Sequence, residues 1–113
     1  MTRHDDDIGL RHMLDYSRRA LAMIEGRSRE ELNTDEMLCL ALTRLMEIVG
    51  EAATRISRAG QERHERIPWA QIVGLRNRLI HGYDAVDLDI LWDIVQQDLP
   101  PLIAELQEIV EEP

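Results

Sequence analysis

The sequence has no lysine and no phenylalanine, a single cysteine, and no apolar run of membrane-spanning length. Each shortage excludes something. With only two Trp and two Tyr, a core must be built from Leu, Ile, Val, Met and Ala, a mix that suits packed helices. Cys39, between Leu38 and Leu40, can supply neither a disulfide framework nor a zinc cluster within one chain, and reads as a small buried apolar residue. A membrane-crossing helix needs roughly 18 to 20 apolar residues, and the opening Met-Thr-Arg-His-Asp-Asp-Asp lacks the apolar stretch of a secretory signal. The expectation is a cytoplasmic protein that makes no use of a membrane. All basic residues are Arg along the whole chain, so the missing lysine is ascribed to genome composition rather than to phosphate recognition.

What is present fits one domain over residues 1–113, a length that can bury an apolar core without disulfides or a structural metal. The net charge of −9 argues at first against nucleic acid, but its distribution changes that reading. Residues 55–83 carry six Arg against Glu62 and Glu65, a balance of +4 that leaves −13 for the remainder. Residues 84–113 hold nine acids and no base. The middle of the chain is basic and its tail acidic.

Apolar residues recur at helical steps throughout. Asp5 to Asp7 provide acidic N-terminal capping character before Leu10, Met13, Leu14, Ser17, Leu21 and Ile24, and Gly26 is a natural stop. Asn33 with Glu36 has the form of a capping box. The following stretch from Met37 to Ile56 has a broad apolar surface, which predicts a central helix touching several neighbours; Gly50 and Ala53 would let another backbone approach, and a merely tolerated helix glycine fits Gly50 equally well. Pro68 fits the first turn of a third helix with the stripe Ile72, Leu75 and Leu79, and Gly82 is placed to end it. Asp87 can cap a fourth helix, which Pro100 and Pro101 should break or kink before Leu102, Ile103 and Leu106 resume the pattern. No alternation typical of strands is found. The fold class predicted is all-α: a four-helix bundle with a kinked or separate fifth C-terminal helical segment.

The strongest chemical constellation is Arg76-Asn77-Arg78-Leu79-Ile80-His81-Gly82-Tyr83. RNA is cleaved without a metal or other cofactor when a base takes the proton of the ribose 2′-OH, an acid protonates the leaving 5′ oxygen and a cation steadies the phosphorane. Histidine titrates near neutral pH, and guanidinium stays charged while offering paired hydrogen bonds to phosphate oxygens. A helix end near Gly82 would favour the protonated imidazole. An inert helix terminus has the same composition, and spacing leaves both readings open. On a regular helix Arg76 and His81 would stand roughly 140° apart, whereas Asn77 and His81 would share a face with Arg78 beside them. A second copy of the helix in a symmetric dimer could bring Arg and His together. Glu51 is a candidate to orient Arg76, and His64 with Arg63 and Arg66 a candidate phosphate contact, although a solvated helix face for the first and a solvated loop for the second are the commoner readings of such residues.

The octet resembles the Arg-x4-His-x-Tyr signature of HepT-like toxins, the HEPN-domain partners of minimal nucleotidyltransferase antitoxins. The run Leu45 to Ala53, Ile67-Pro68-Trp69 and the stretch from Trp92 to Leu102 look like the same family in the same order. The resemblance implies a HEPN-type bundle and a homodimer whose Arg76 and His81 build a composite endoribonuclease site, with Asn77 and Arg78 in support. It further implies that the antitoxin silences the toxin by attaching AMP to Tyr83. Two alternatives use the same residues: a non-catalytic HEPN interaction module that binds a nucleotidyltransferase and perhaps a nucleotide, and a purely structural dimerisation bundle.

Overall fold

A computed structural model describes residues 2–81 and 85–111. The chain is all-α, as the aliphatic periodicity predicts. Helix α1 (Arg3–Met23) starts on a reciprocal box in which Asp5 N donates to the Thr2 hydroxyl and Thr2 N to the Asp5 carboxylate, and its end leads into a turn where Gly26 takes φ of 74°. A single turn, α2 (Glu31–Thr34), precedes α3 (Glu36–Thr54). The capping box expected at Asn33 is not formed. Asn33 lies within α2 and accepts from Arg29, while Asp35, extended at φ −110° and ψ 91°, accepts from Leu38 N and starts α3.

α3 is the centre of the bundle, packed chiefly on α1 and also against α5 (Trp69–Val73) and α6 (Leu75–Leu79). Its Leu42, Met46 and Val49 are fully buried with Leu10, Met13 and Leu14 of α1. Met37, expected on the apolar face, is instead exposed, as is Leu40. Gly50 has the close approach foreseen for it: a Cβ there would stand 3.2 Å from the Ile72 carbonyl oxygen and 3.8 Å from Leu75 Cβ. α4 (Arg58–Arg63) is capped by the Ser57 hydroxyl, which accepts from Gly60 N.

Two departures from the sequence reading matter for the site. The helix expected from Pro68 to Gly82 is divided at Gly74 and ends at Leu79; Ile80 turns extended, with φ −95° and ψ 121°. Strand β1 (Ile80–His81) then pairs antiparallel with β2 (Ala85–Val86), Ile80 opposite Val86 and His81 opposite Ala85, and Asp87 N bonds the Leu79 carbonyl at 2.8 Å. This two-residue ladder is too short to show as alternation. Secondly, Pro100 and Pro101 do not break the C-terminal helix. After α7 (Leu88–Asp93), capped by Asp87 as expected, residues Ile94–Asp98 form a π-helical turn in which Leu99 N bonds the Ile94 carbonyl, and α8 (Leu99–Glu111) follows directly. The wider turn makes room for proline rings that would clash with a regular preceding turn, and both prolines fall where α8 begins. No helix among the described residues is long and apolar enough to cross a membrane.

Candidate active site

The motif segment is held from beneath. Ile72, Leu75 and Leu79 are buried in the shared core, which turns the intervening Arg76 and Asn77 outward. With Val73 they form one wall of a groove of about 450 Å³, whose other wall is the outer stripe of α3: Glu47, Gly50, Glu51 and Thr54. Because Gly50 has no side chain, the two walls can approach this closely.

Arg76 is 70% exposed in its side chain, and its Nε lies 3.4 Å from Glu47 Oε2. The carboxylate paired with Arg76 is Glu47; Glu51, the candidate from the sequence, lies one turn further along the same wall and makes no ion pair with Arg76 among the described residues. Either glutamate satisfies the helical phase, and only the approach of α3 to α6 chooses between them.

The structure does not bring all the motif residues together. Arg78 faces the other side of α6, where both terminal nitrogens donate to Asp98 Oδ2 at 3.2 Å, tying the motif helix to the π-helical turn. His81 is extended and lies beyond the cap of α6, so the helical angle between Arg76 and His81 does not apply, nor does the face expected to join Asn77 and His81. A helix of five residues that ends before His81 also removes the terminal dipole argument for its imidazolium. Tyr83 lies outside the described residues.

The second basic cluster is neutralised rather than open. Arg63 stands 3.5 Å from Asp6, and Arg66 lies 3.8 Å from Glu105. Burial, and then the charges of Arg63 and Arg3, push His64 below the usual imidazole value, which works against its holding a phosphate as a cation.

Sequence reasoning missed the buried Asp6. Only 1% exposed, it accepts from Ser57 N at 2.8 Å and from the Ser57 hydroxyl, and so ties the start of α1 to the cap of α4. Its signal was present: Asp6 stands four residues before Leu10, in phase with the α1 core stripe.

The sequence profile of the family described as "Ribonuclease HepT-like" matches residues 13–109. The chain belongs to that family, and its helical architecture is that of a HEPN bundle. A protein of Caldanaerobacter subterraneus subsp. tengcongensis, provisionally named an RNase, is 32% identical over 102 residues, covering 90% of this chain and 91% of its own. A protein of Methanocaldococcus jannaschii, also provisionally named an RNase, is 32% identical over 107 residues, 95% and 98% of the two chains. In Thermococcus cleftensis the "Probable ribonuclease HepT" is 34% identical over 95 residues, covering 80% and 86%. No solved structure matches. At the level of the family, then, the protein is a ribonuclease.

Proposed function

We propose that the protein is a metal-independent endoribonuclease toxin, active as a homodimer, whose composite site uses Arg76 and His81. The observation that carries this reading is the open groove in a chain of the HepT-like ribonuclease family, with Arg76 projecting into it beside Asn77 and the chain reaching His81 four residues after Asn77. In the reaction, the ribose 2′ oxygen forms a bond to phosphorus as its proton passes to a base. The bond from phosphorus to the 5′ oxygen breaks as an acid protonates that oxygen, leaving a 2′,3′-cyclic phosphate and a 5′-hydroxyl. His81 serves as acid or base, Arg76 stabilises the phosphorane, Asn77 positions the RNA or the imidazole, and Arg78 supports the segment through Asp98.

The dimer is supported by exposed apolar surface. Met37 is 82% exposed and Leu40 60%. At steps of three and four residues the stripe runs from Met37 and Leu40 through the exposed Arg44 to Glu47 and Glu51, so its apolar end lies on the same face of α3 as the wall of the groove. A second copy seated there would cover both side chains and add its own motif segment to the site. A minimal nucleotidyltransferase antitoxin would then silence the enzyme by attaching AMP to Tyr83, which adds volume and negative charge to the basic motif segment that RNA phosphates must meet.

The test is cleavage of total cellular RNA by purified protein in EDTA. Arg76→Ala and His81→Ala should each lose activity by roughly 100-fold or more with helicity intact. An active site that needs an added divalent ion, or cleavage unaffected by both variants, would defeat the proposal. Persistent inactivity of pure parent protein that still binds a nucleotidyltransferase would favour the interaction module.

A further inference from the structure

From the geometry of the groove we infer that Glu47 is a positioning residue for the reaction: it fixes the guanidinium of Arg76 so that its far edge is presented to the scissile phosphate. The inference rests on the proposed ribonuclease function and assigns a part of its machinery. Arg76 has four rotatable bonds and a largely exposed side chain, so left alone it would sample many rotamers. The only ion pair it makes among the described residues is with Glu47, whose side chain is 26% exposed and sits on the rigid central helix. The contact is made through Nε, on the side edge of the planar fork. That leaves the terminal edge, with its two amino groups, for two parallel hydrogen bonds to phosphate oxygens. The spacing of the pair is set by Gly50, three residues beyond Glu47, because the missing Cβ lets α3 lie against the Ile72 carbonyl.

The arrangement has a cost that makes it testable. Glu47 places a negative charge where an RNA phosphate must come, with Glu51 already on the same wall. Removing its charge should therefore improve RNA binding while impairing turnover, a division that a purely structural residue would not produce. For Glu47→Ala, kcat should fall roughly 10- to 100-fold, the penalty of a mispositioned catalytic group. KM should meanwhile fall about twofold to fivefold as one repulsive charge leaves the groove. Glu47→Gln keeps an acceptor for Nε without the charge, so its kcat should lie between parent and alanine variant while its KM falls equally. In an Arg76→Ala background, Glu47→Ala should lower kcat no further.

A second readout does not depend on activity. The Arg76 Nε–Hε resonance, assigned by its loss in Arg76→Lys, should stand apart from those of exposed arginines and exchange slowly with water in the parent protein. In Glu47→Ala it should join them and exchange several-fold faster, with helicity unchanged by circular dichroism; Glu47→Gln provides the milder variant if alanine impairs folding. An unmoved resonance, or an unchanged kcat in a parent that cleaves RNA, would overturn the inference. Loss of the acidic limb of the pH profile in Glu47→Gln would also overturn it, by making Glu47 the base itself. Failure of the parent to cleave RNA would defeat the functional reading, while the resonance would still decide whether Glu47 holds Arg76.

Discussion

Helices α1 and α3 run for 21 and 19 residues and each begins on a side-chain cap, whereas α5 and α6 have five residues each and no side-chain cap. Five-residue helices do not persist alone in water. They are held because Ile72, Leu75 and Leu79 plug into the core that α1 and α3 make with α8. One region thus supplies stability and the other borrows it, which leaves the outward residues of the borrowed segment free of the core. Arg76 and Asn77 face the groove at little expense to the fold.

The largest test of that division is a cavity in the first region. Leu42, fully buried at the interface of α3 with its neighbours, should cost about 2–5 kcal/mol on change to Ala, read as a lower denaturant midpoint, with RNA cleavage per folded molecule retained. A site mutation as destabilising as this would erase the distinction.

Next comes the clasp at Asp6. Asp6→Ala leaves the Ser57 amide and hydroxyl without their acceptor and should cost on the order of 2–4 kcal/mol. Burial raises the Asp6 carboxyl, but the Ser57 hydrogen bonds and the Arg63 charge together outweigh it, so its folded value lies below the ordinary 3.8. The folded state therefore holds this carboxylate's proton less tightly than the unfolded chain does. Its contribution is present above about pH 3.8 and is lost as pH falls through the lower folded value. Stability curves of the parent and Asp6→Asn should converge in that acid range; parallel curves would show that Asp6 is not the titrating group.

Gly50→Ala probes the seam between the two regions. The added methyl must push on the Ile72 carbonyl, while alanine gains about 0.5–1 kcal/mol over glycine in a helix interior. These effects oppose each other, so stability should change by less than about 1 kcal/mol. Cleavage should fall more than stability does, because α5 and α6 move relative to Glu47. A variant of parent activity would show that the site tolerates a displaced wall.

The smallest stability effect belongs to the groove itself. Arg76→Ala removes an ion pair whose arginine is mostly solvent-exposed, and pairs of that kind contribute about 0–1 kcal/mol. Its thermal midpoint should match that of the parent within experimental error even as cleavage disappears.

How much of this was legible varies with the range of the interaction. Gly26 and Asp87 mark element ends through local backbone and capping chemistry, and both positions were readable directly. Asn33 was misread because Asp35, two residues on, offers an equally good cap, and competition between adjacent polar residues is settled by the path of the chain. Pro100 and Pro101 announced an interruption correctly in kind; it takes the form of the π-helical turn Ile94–Asp98 just before them, whose Ile94 and Val95 are fully buried along with Leu91 and Leu99.

Helical periodicity and the aliphatic composition determined the all-α class and most of the core, because burial of a helix face leaves its mark every three or four residues. The run from Arg76 to His81 likewise marked the candidate site by residue type. The tertiary structure alone decided that Glu47 rather than Glu51 meets Arg76, that Arg78 turns away to Asp98, and that the chain leaves the helix before His81. Each of those outcomes depends on how closely α3, α6 and the π-helical turn pack, and a distance between segments far apart in the chain has no period along the sequence from which it could be read.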